Sequence, residues 1–105
     1  MREIAVLRYR RQAWSIRLTS RKEMRSFLSP HERGRRYGLC IFDERLILIA
    51  DWVAPYHRWG LLVHELIHAV EQLSEGKHAS EALLTRVQTL IADVAANGSL
   101  EREAR

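Results

Sequence analysis

A chain of 105 residues is long enough for one domain with one modest hydrophobic core. Its single cysteine excludes an internal disulfide, which favours a reducing, cytoplasmic setting. The formal net charge is +4, and most of the basic residues lie in the first half of the chain. The apolar run from Ile4 to Leu7 is too short for a signal peptide or a membrane span, so we expect a soluble cytoplasmic protein without a membrane partner.

The first third of the chain predicts two strands and a short helix. Residues 14–19, WSIRLT, alternate apolar and polar side chains, which is typical of a strand with one buried face. Residues 3–9 predict a partner strand. Apolar residues at helical spacing within 24–28 predict a short helix that Pro30 stops.

From Gly38 the pattern predicts a hairpin followed by a long helix. The segment 38–50, GLCIFDERLILIA, predicts two strands, and the apolar run from Leu46 to Ala50 indicates a strand covered on both faces. Pro55 suits the first turn of a helix that we expect to end near Ser74, with Gly76 placed to terminate it.

A second helix is predicted over residues 79–96, closed by Asn97 and Gly98, and the charged tail 99–105 is expected to fray. The whole predicts one α+β domain, residues 1–105, with a core of about 38–98. In it, antiparallel N-terminal strands pack on the two helices. The apolar stripe predicted for the second helix comprises Leu83, Leu84, Val87, Leu90, Ile91 and Val94.

The long helix contains the sequence HELIH, residues 64–68. His64 and His68 are four residues apart, so their imidazoles lie one turn above the other and can approach one ion. Glu65 lies on the same side, within reach of a water bound to that ion. The pattern is the H-E-x-x-H arrangement, in which two neutral imidazoles bind zinc and the glutamate is general base. The predicted core-facing side of this helix comprises Leu62, Val63, Leu66, Ile67, Ala69, Val70 and Leu73.

A catalytic zinc needs a third protein ligand. Glu81, at the start of the second helix, is the preferred candidate, although an acidic residue there also stabilises a helix N-terminus. His78 and Glu75 are the alternatives. The metzincin extension is excluded, because Glu71 and Ser74 stand where that family has glycine and histidine.

Residues 38–73 followed by 80–100 resemble the small zincin-type metallopeptidase domains of phages, prophages and prokaryotes, including the minimal gluzincin type and ImmA/IrrE relatives. The resemblance implies a zinc-dependent peptidase with His64, His68 and Glu81 as ligands and Glu65 as catalytic base. It also implies that the strand Leu46 to Ala50 pairs with a peptide or protein substrate. For stabilisation of the oxyanion, four residues are candidates: Tyr37, Tyr56, His57 and His78.

Two other interpretations stay open. One is a zincin-fold binding or regulatory module that hydrolyses nothing and meets nucleic acid or an acidic partner through a basic surface. The other is a small assembly protein whose two histidines simply pack in the core. The sequence does not determine the oligomeric state. The basic surface of the first interpretation comprises Arg8, Arg10, Arg11, Arg33, Arg35 and Arg36.

Overall fold

The structure, a computed structural model, describes residues 1–31 and 36–102. Within these ranges the chain forms a four-stranded sheet and three helices, which confirms the predicted α+β class. In chain order the elements are β1 (Arg2–Tyr9), β2 (Gln12–Thr19), α1 (Arg21–Arg25), β3 (Gly38–Ile41), β4 (Leu46–Ala50), α2 (Pro55–Leu73) and α3 (Glu81–Asn97).

The sheet is mixed, with the strand order β1-β2-β4-β3. β1 pairs antiparallel with β2, and β3 pairs antiparallel with β4, as the two predicted hairpins require. β2 and β4, however, are parallel, with Ile16 opposite Ile47 and Leu18 opposite Ile49. The predicted antiparallel pairing of the N-terminal strands is therefore confirmed, whereas the parallel pairing at the centre of the sheet, where the two hairpins meet, was not predicted.

Both faces of the sheet are covered, and β4 shows this most clearly because all five of its residues are buried. Ile47 and Ile49 belong to the larger core, which also contains the buried residues of α2 and α3. Leu48 and Ala50 belong to the smaller core, which contains Met24 of α1. The apolar run in the sequence thus predicted the two-sided burial of this strand correctly.

The ends of the helices follow local chemistry. Pro55 occupies the first turn of α2, where its missing N–H costs nothing. The helix ends at Leu73, and Gly76 follows with a φ of +77° that suits glycine. α3 starts after Ser80, whose hydroxyl accepts the backbone N–H of Leu83.

The chain after α3 is anchored as far as it is described. Leu100 is fully buried, and the buried guanidinium of Arg58 donates hydrogen bonds to the carbonyls of Leu100 and Arg102 at 2.9 Å. The indole N–H of Trp59 donates to the carboxylate of Glu101 at 3.0 Å. This differs from the expected fraying from residue 99, because one leucine and two partners on α2 hold residues 99–102. Residues 103–105 lie outside the described residues.

Among the described residues, no helix combines the length and the apolar character that a membrane span requires.

Candidate metal centre

His64 and His68 approach each other on the exposed side of α2. Their Nε2 atoms are 3.3 Å apart, and their ring centroids are 5.0 Å apart. Two nitrogen ligands at about 2.0–2.1 Å from a tetrahedral zinc ion lie about 3.3–3.4 Å from each other. The imidazole pair therefore has the spacing that one tetrahedral zinc ion requires. The same distance also suits a hydrogen bond between the two rings.

Neither histidine belongs to the hydrophobic core. His64 is exposed and His68 is half-buried. If the two histidines only filled space in a core, their ring nitrogens would need hydrogen-bond partners inside that core. Both imidazoles therefore lie where a ligand from solvent can reach them, and packing of the two rings against each other stays the alternative interpretation.

Glu65 differs from the two histidines because it is buried, with 5% of its surface exposed. Burial raises the pKa of its carboxyl, and the two neighbouring histidines and Arg36 partly oppose that rise. A carboxyl with a raised pKa is typical of a group that accepts and releases protons, because burial makes its ionised form less stable than it is in water.

Strand β3 covers the Glu65 carboxylate. A Cβ atom built on Gly38 would lie 3.3 Å from Cγ and Oε1 of Glu65 and 3.3 Å from Leu61. On the same strand, burial raises the pKa of the Cys40 thiol to about 12, and the charge of Glu65 raises it further. The carboxylate therefore lies between α2 and the first residues of β3, next to the histidine pair.

Glu81 lies on another part of the molecule. It is exposed in the first turn of α3, which packs on β1 at one edge of the sheet, whereas α2 packs on β3 and β4 at the opposite edge of the same face. The hydroxyls of Tyr9 and Ser80, 2.8 Å apart, hold the start of α3 near β1. The structure does not bring Glu81 into a metal-binding group with the histidines, and its assignment as third ligand stays a prediction.

The alternative ligands, Glu75 and His78, do not lie beside the histidine pair either. Glu75 and His78 are exposed and line a pocket beside Tyr9, at the C-terminal end of α2. Glu71, three residues after His68, is exposed and lines the apolar groove between α2 and α3. Over residues 1–31 and 36–102, no three histidine, cysteine, aspartate or glutamate side chains lie close enough together to hold a metal ion.

Aromatic rings cluster at the N-terminal end of α2. The rings of Tyr37 and His57 are 5.4 Å apart, and Tyr56 stacks on His57 at 6.5 Å. His57 precedes His64 by seven residues, so both lie on one side of α2, about 10 Å apart along its axis. Of the four oxyanion candidates, these three therefore lie on the histidine side, whereas His78 is at the far end of the helix.

The strand that borders the site is β3, which corrects the prediction for β4. β4 has β2 on one side and β3 on the other, so it cannot accept an added strand. β3 is last in the sheet order. The carbonyl of Tyr37 accepts the N–H of Ala50 at 2.8 Å, so by alternation the backbone groups of Gly38 and Cys40 point to the open edge.

Two features beside the site were not predicted from the sequence. Gly38 lies against the carboxylate of Glu65, and a lone glycine before an apolar strand does not signal such a contact. Arg36 was assigned only to a basic surface, yet its charge acts on Glu65. Arg8, Arg10 and Arg11 are exposed on the first hairpin, and the remaining predicted basic residues, Arg33 and Arg35, lie outside the described residues.

No family model, no curated protein and no solved structure matches this chain.

Proposed function

We propose that this protein is a zinc-dependent metallopeptidase with a zincin-like site, related to the small prokaryotic and phage enzymes that its HELIH sequence resembles. The observation that carries the proposal is the 3.3 Å separation of the His64 and His68 Nε2 atoms. That distance suits two ligands of one tetrahedral ion. The buried carboxylate of Glu65 next to them supplies the third element of the arrangement.

In this proposal the two imidazoles would hold the metal through Nε2. A bound zinc ion supplies Lewis acidity, which acidifies water and polarises a carbonyl oxygen. Glu65 takes the proton of the attacking water and passes it to the leaving amine. Burial of its carboxyl supports this role, because a raised pKa brings the group closer to the pH at which it must both accept and release a proton.

The substrate is a peptide segment of a protein, bound in extended form along the open edge of β3. The outward N–H and C=O groups of Gly38 and Cys40 offer the hydrogen bonds that an added strand needs. Peptide binding along this edge would bring its backbone close to Glu65, since Gly38 directly contacts that side chain.

Glu81 is the proposed third ligand, and its coordination requires that the start of α3 move from its position near β1. Substitution of Glu81 by Gln, with Glu71→Gln as a matched control, tests it. We expect zinc affinity to fall only in the Glu81 variant. Retention of full affinity by Glu81→Gln would assign the third position to another group.

The decisive experiment combines metal content with proteolysis. Purified wild-type protein should contain about one zinc ion per chain and cleave members of a fluorogenic peptide library. Glu65→Gln should keep the zinc and lose the cleavage, because the amide cannot accept the proton of water. Wild-type protein that folds and binds no zinc, or a Glu65→Gln variant that cleaves as well as the wild type, would refute the proposal.

A second candidate is a non-hydrolytic binding module on the same fold. It is favoured by one observation, that the described residues gather no third metal ligand beside the histidines. Such a module would bind an acidic partner or nucleic acid with an affinity that falls steeply with salt. Stoichiometric zinc together with cleavage that depends on Glu65 excludes it.

A further inference from the structure

A cationic pocket lies next to the proposed cleft, on the face of the sheet that carries α1. It has a cavity volume of about 120 Å³ and lies between α1, the residues that lead into β3, and Trp52 after β4. We call it the arginine pocket, because three of the seven residues that line it are arginines. Its lining comprises Arg21, Met24, Arg25, Leu28, Arg36, Tyr37 and Trp52.

The pocket combines an apolar floor with a positively charged rim. Met24 and Leu28 are buried beneath it, whereas the three arginines are exposed. The guanidinium of Arg21 lies over the Trp52 ring, 5.4 Å from its centroid, which fixes the direction of that charge. The described residues that line the pocket include no carboxylate. The guanidinium groups of Arg21 and Arg25, at the rim of an apolar pocket, favour a carboxylate or phosphate ligand.

The chain itself connects the arginine pocket to the proposed cleft. Tyr37 lines the pocket, and it directly precedes Gly38, which covers the Glu65 carboxylate. The pocket is therefore only a few residues of extended chain away from the histidine pair.

An extended peptide on the β3 edge would present alternate side chains to the two faces of the sheet. One set would face α2 and its histidines, and the other set would face α1. Leu39 and Ile41 of β3 show the second direction, because they pack against the core that contains Met24 of α1. A peptide side chain that points to the α1 face beside Tyr37 would therefore reach the arginine pocket.

We propose that the arginine pocket binds an acidic side chain of a peptide aligned on the β3 edge, so that the site selects peptides with Glu or Asp close to the scissile bond. This inference deepens the proposed peptidase function and rests on it. A peptide is the chosen ligand rather than nucleic acid because the pocket adjoins an open strand edge, and the arginines cluster within one pocket instead of along an extended groove.

Direct binding to the Glu65→Gln protein tests the inference without turnover. The probe is a fluorescein-labelled decapeptide of alternating Glu and Thr, compared with its Gln/Thr counterpart by anisotropy. We expect the Glu peptide to bind about tenfold more tightly. Adding the double substitution R21Q/R25Q should remove that advantage. The matched control R8Q/R11Q removes two exposed arginines from the first hairpin, and it should change the affinity by less than about twofold.

Three results would overturn the inference. The first is equal binding of the Glu and Gln peptides, and the second is an equal loss of affinity in the two double variants, which would indicate only net charge. The third is tighter binding of a single-stranded oligonucleotide of equal charge through Arg21 and Arg25, which would assign the pocket to nucleic acid.

The same measurements separate this inference from the proposed function. Zinc-dependent cleavage that ignores acidic residues and is unchanged in R21Q/R25Q would refute the pocket assignment and keep the peptidase. Selective binding of the Glu peptide through Arg21 and Arg25, in a protein that neither binds zinc nor cleaves, would keep the acidic-peptide site and refute the peptidase.

Discussion

Gly38 lies directly against Glu65, so that a methyl group on Gly38 would be 3.3 Å from both Cγ and Oε1 of the carboxylate. This contact couples the first residue of β3 to the proposed catalytic base. Because glycine has no side chain, the strand can approach α2 closely enough to bury the carboxylate while the adjacent histidines stay accessible. The pairing of a small residue with a buried acid leads to a specific prediction for catalysis.

Gly38→Ala should reduce turnover more than it reduces stability. The added methyl forces Glu65 to shift by a few tenths of an ångström, which misplaces the proton acceptor, and we expect kcat to fall by about tenfold or more. The free energy of unfolding should fall by about 1 kcal/mol. Gly60→Ala is the control, because a Cβ there meets nothing within 4 Å and alanine favours the helix. Unchanged kcat in Gly38→Ala would contradict the proposed role of this contact.

Cys40 should react slowly with iodoacetamide in the folded protein. Its pKa is raised to about 12, chiefly by burial, so very little thiolate exists at pH 8.5. We expect alkylation at that pH to be at least about a hundredfold slower than in urea, where the thiol titrates normally. Cys40 is the single cysteine, so labelling can be followed by mass spectrometry of the intact chain.

The same thiol sets a direction for stability at high pH. Because the folded pKa lies above the ordinary thiol value of 9.0, the unfolded chain loses its proton first, and stability from this group declines as pH rises from 9 towards 12. Cys40→Ala should remove that part of the decline. Glu65→Gln should accelerate alkylation of Cys40, since the charge of Glu65 contributes to the raised pKa. An alkylation rate unaffected by Glu65→Gln would contradict the proximity of the two groups.

Arg58 should be important for stability because it joins three separate segments. Its guanidinium donates to the carbonyls of Asp51 and Val53 at 2.8 Å and to those of Leu100 and Arg102 at 2.9 Å. Arg58→Met leaves these carbonyls without their donor, and we expect a loss of about 3 kcal/mol in urea denaturation.

The exposed Arg86 provides the matched control for that measurement. Arg86→Met should change the free energy of unfolding by less than about 0.5 kcal/mol. Faster proteolytic removal of the residues around Leu100 in Arg58→Met would locate the loss at the C-terminal anchor. Equal stability of the two variants would show that the hydrogen bonds of Arg58 add nothing beyond those of an exposed arginine.

His64→Ala should weaken zinc binding by more than about a hundredfold, since loss of a direct ligand exceeds the 10–100-fold cost of losing a supporting hydrogen bond. Competition with a fluorescent chelator measures this affinity. His31→Ala removes an exposed histidine outside the helix and should leave the affinity within about twofold. Equal losses in both variants would indicate nonspecific metal binding, and retention of affinity in His64→Ala would exclude the proposed centre.

Local patterns in the sequence predicted the elements well. The ends of α2 and α3 lie within two residues of the predicted positions, because proline, glycine and serine act through their own backbone conformation and hydrogen bonds. The approach of His64 to His68 follows from the same local rule, since residues four apart in a helix are always neighbours.

The sequence was less informative where two sides of a helix can both be apolar. Val63 and Ile67 were assigned to the core, but 46% and 52% of their surfaces are exposed. They line an apolar groove between α2 and α3 instead of filling it. Helical periodicity gives the direction of a side chain around its own axis, whereas the distance to the neighbouring helix depends on how both helices pack on the sheet.

The sequence by itself determined where the helices and strands lie along the chain, the histidine pair with its intervening glutamate, and the two-sided burial of β4. Only the tertiary structure decided that β4 is central and β3 is the open edge, that Gly38 covers Glu65, and that Glu81 starts a helix packed on β1, at the opposite edge of the sheet from β3. The physical reason is that helical and strand periodicity act over a few residues. Strand order and the contacts between distant segments depend on which arrangement buries the apolar surfaces of all elements together.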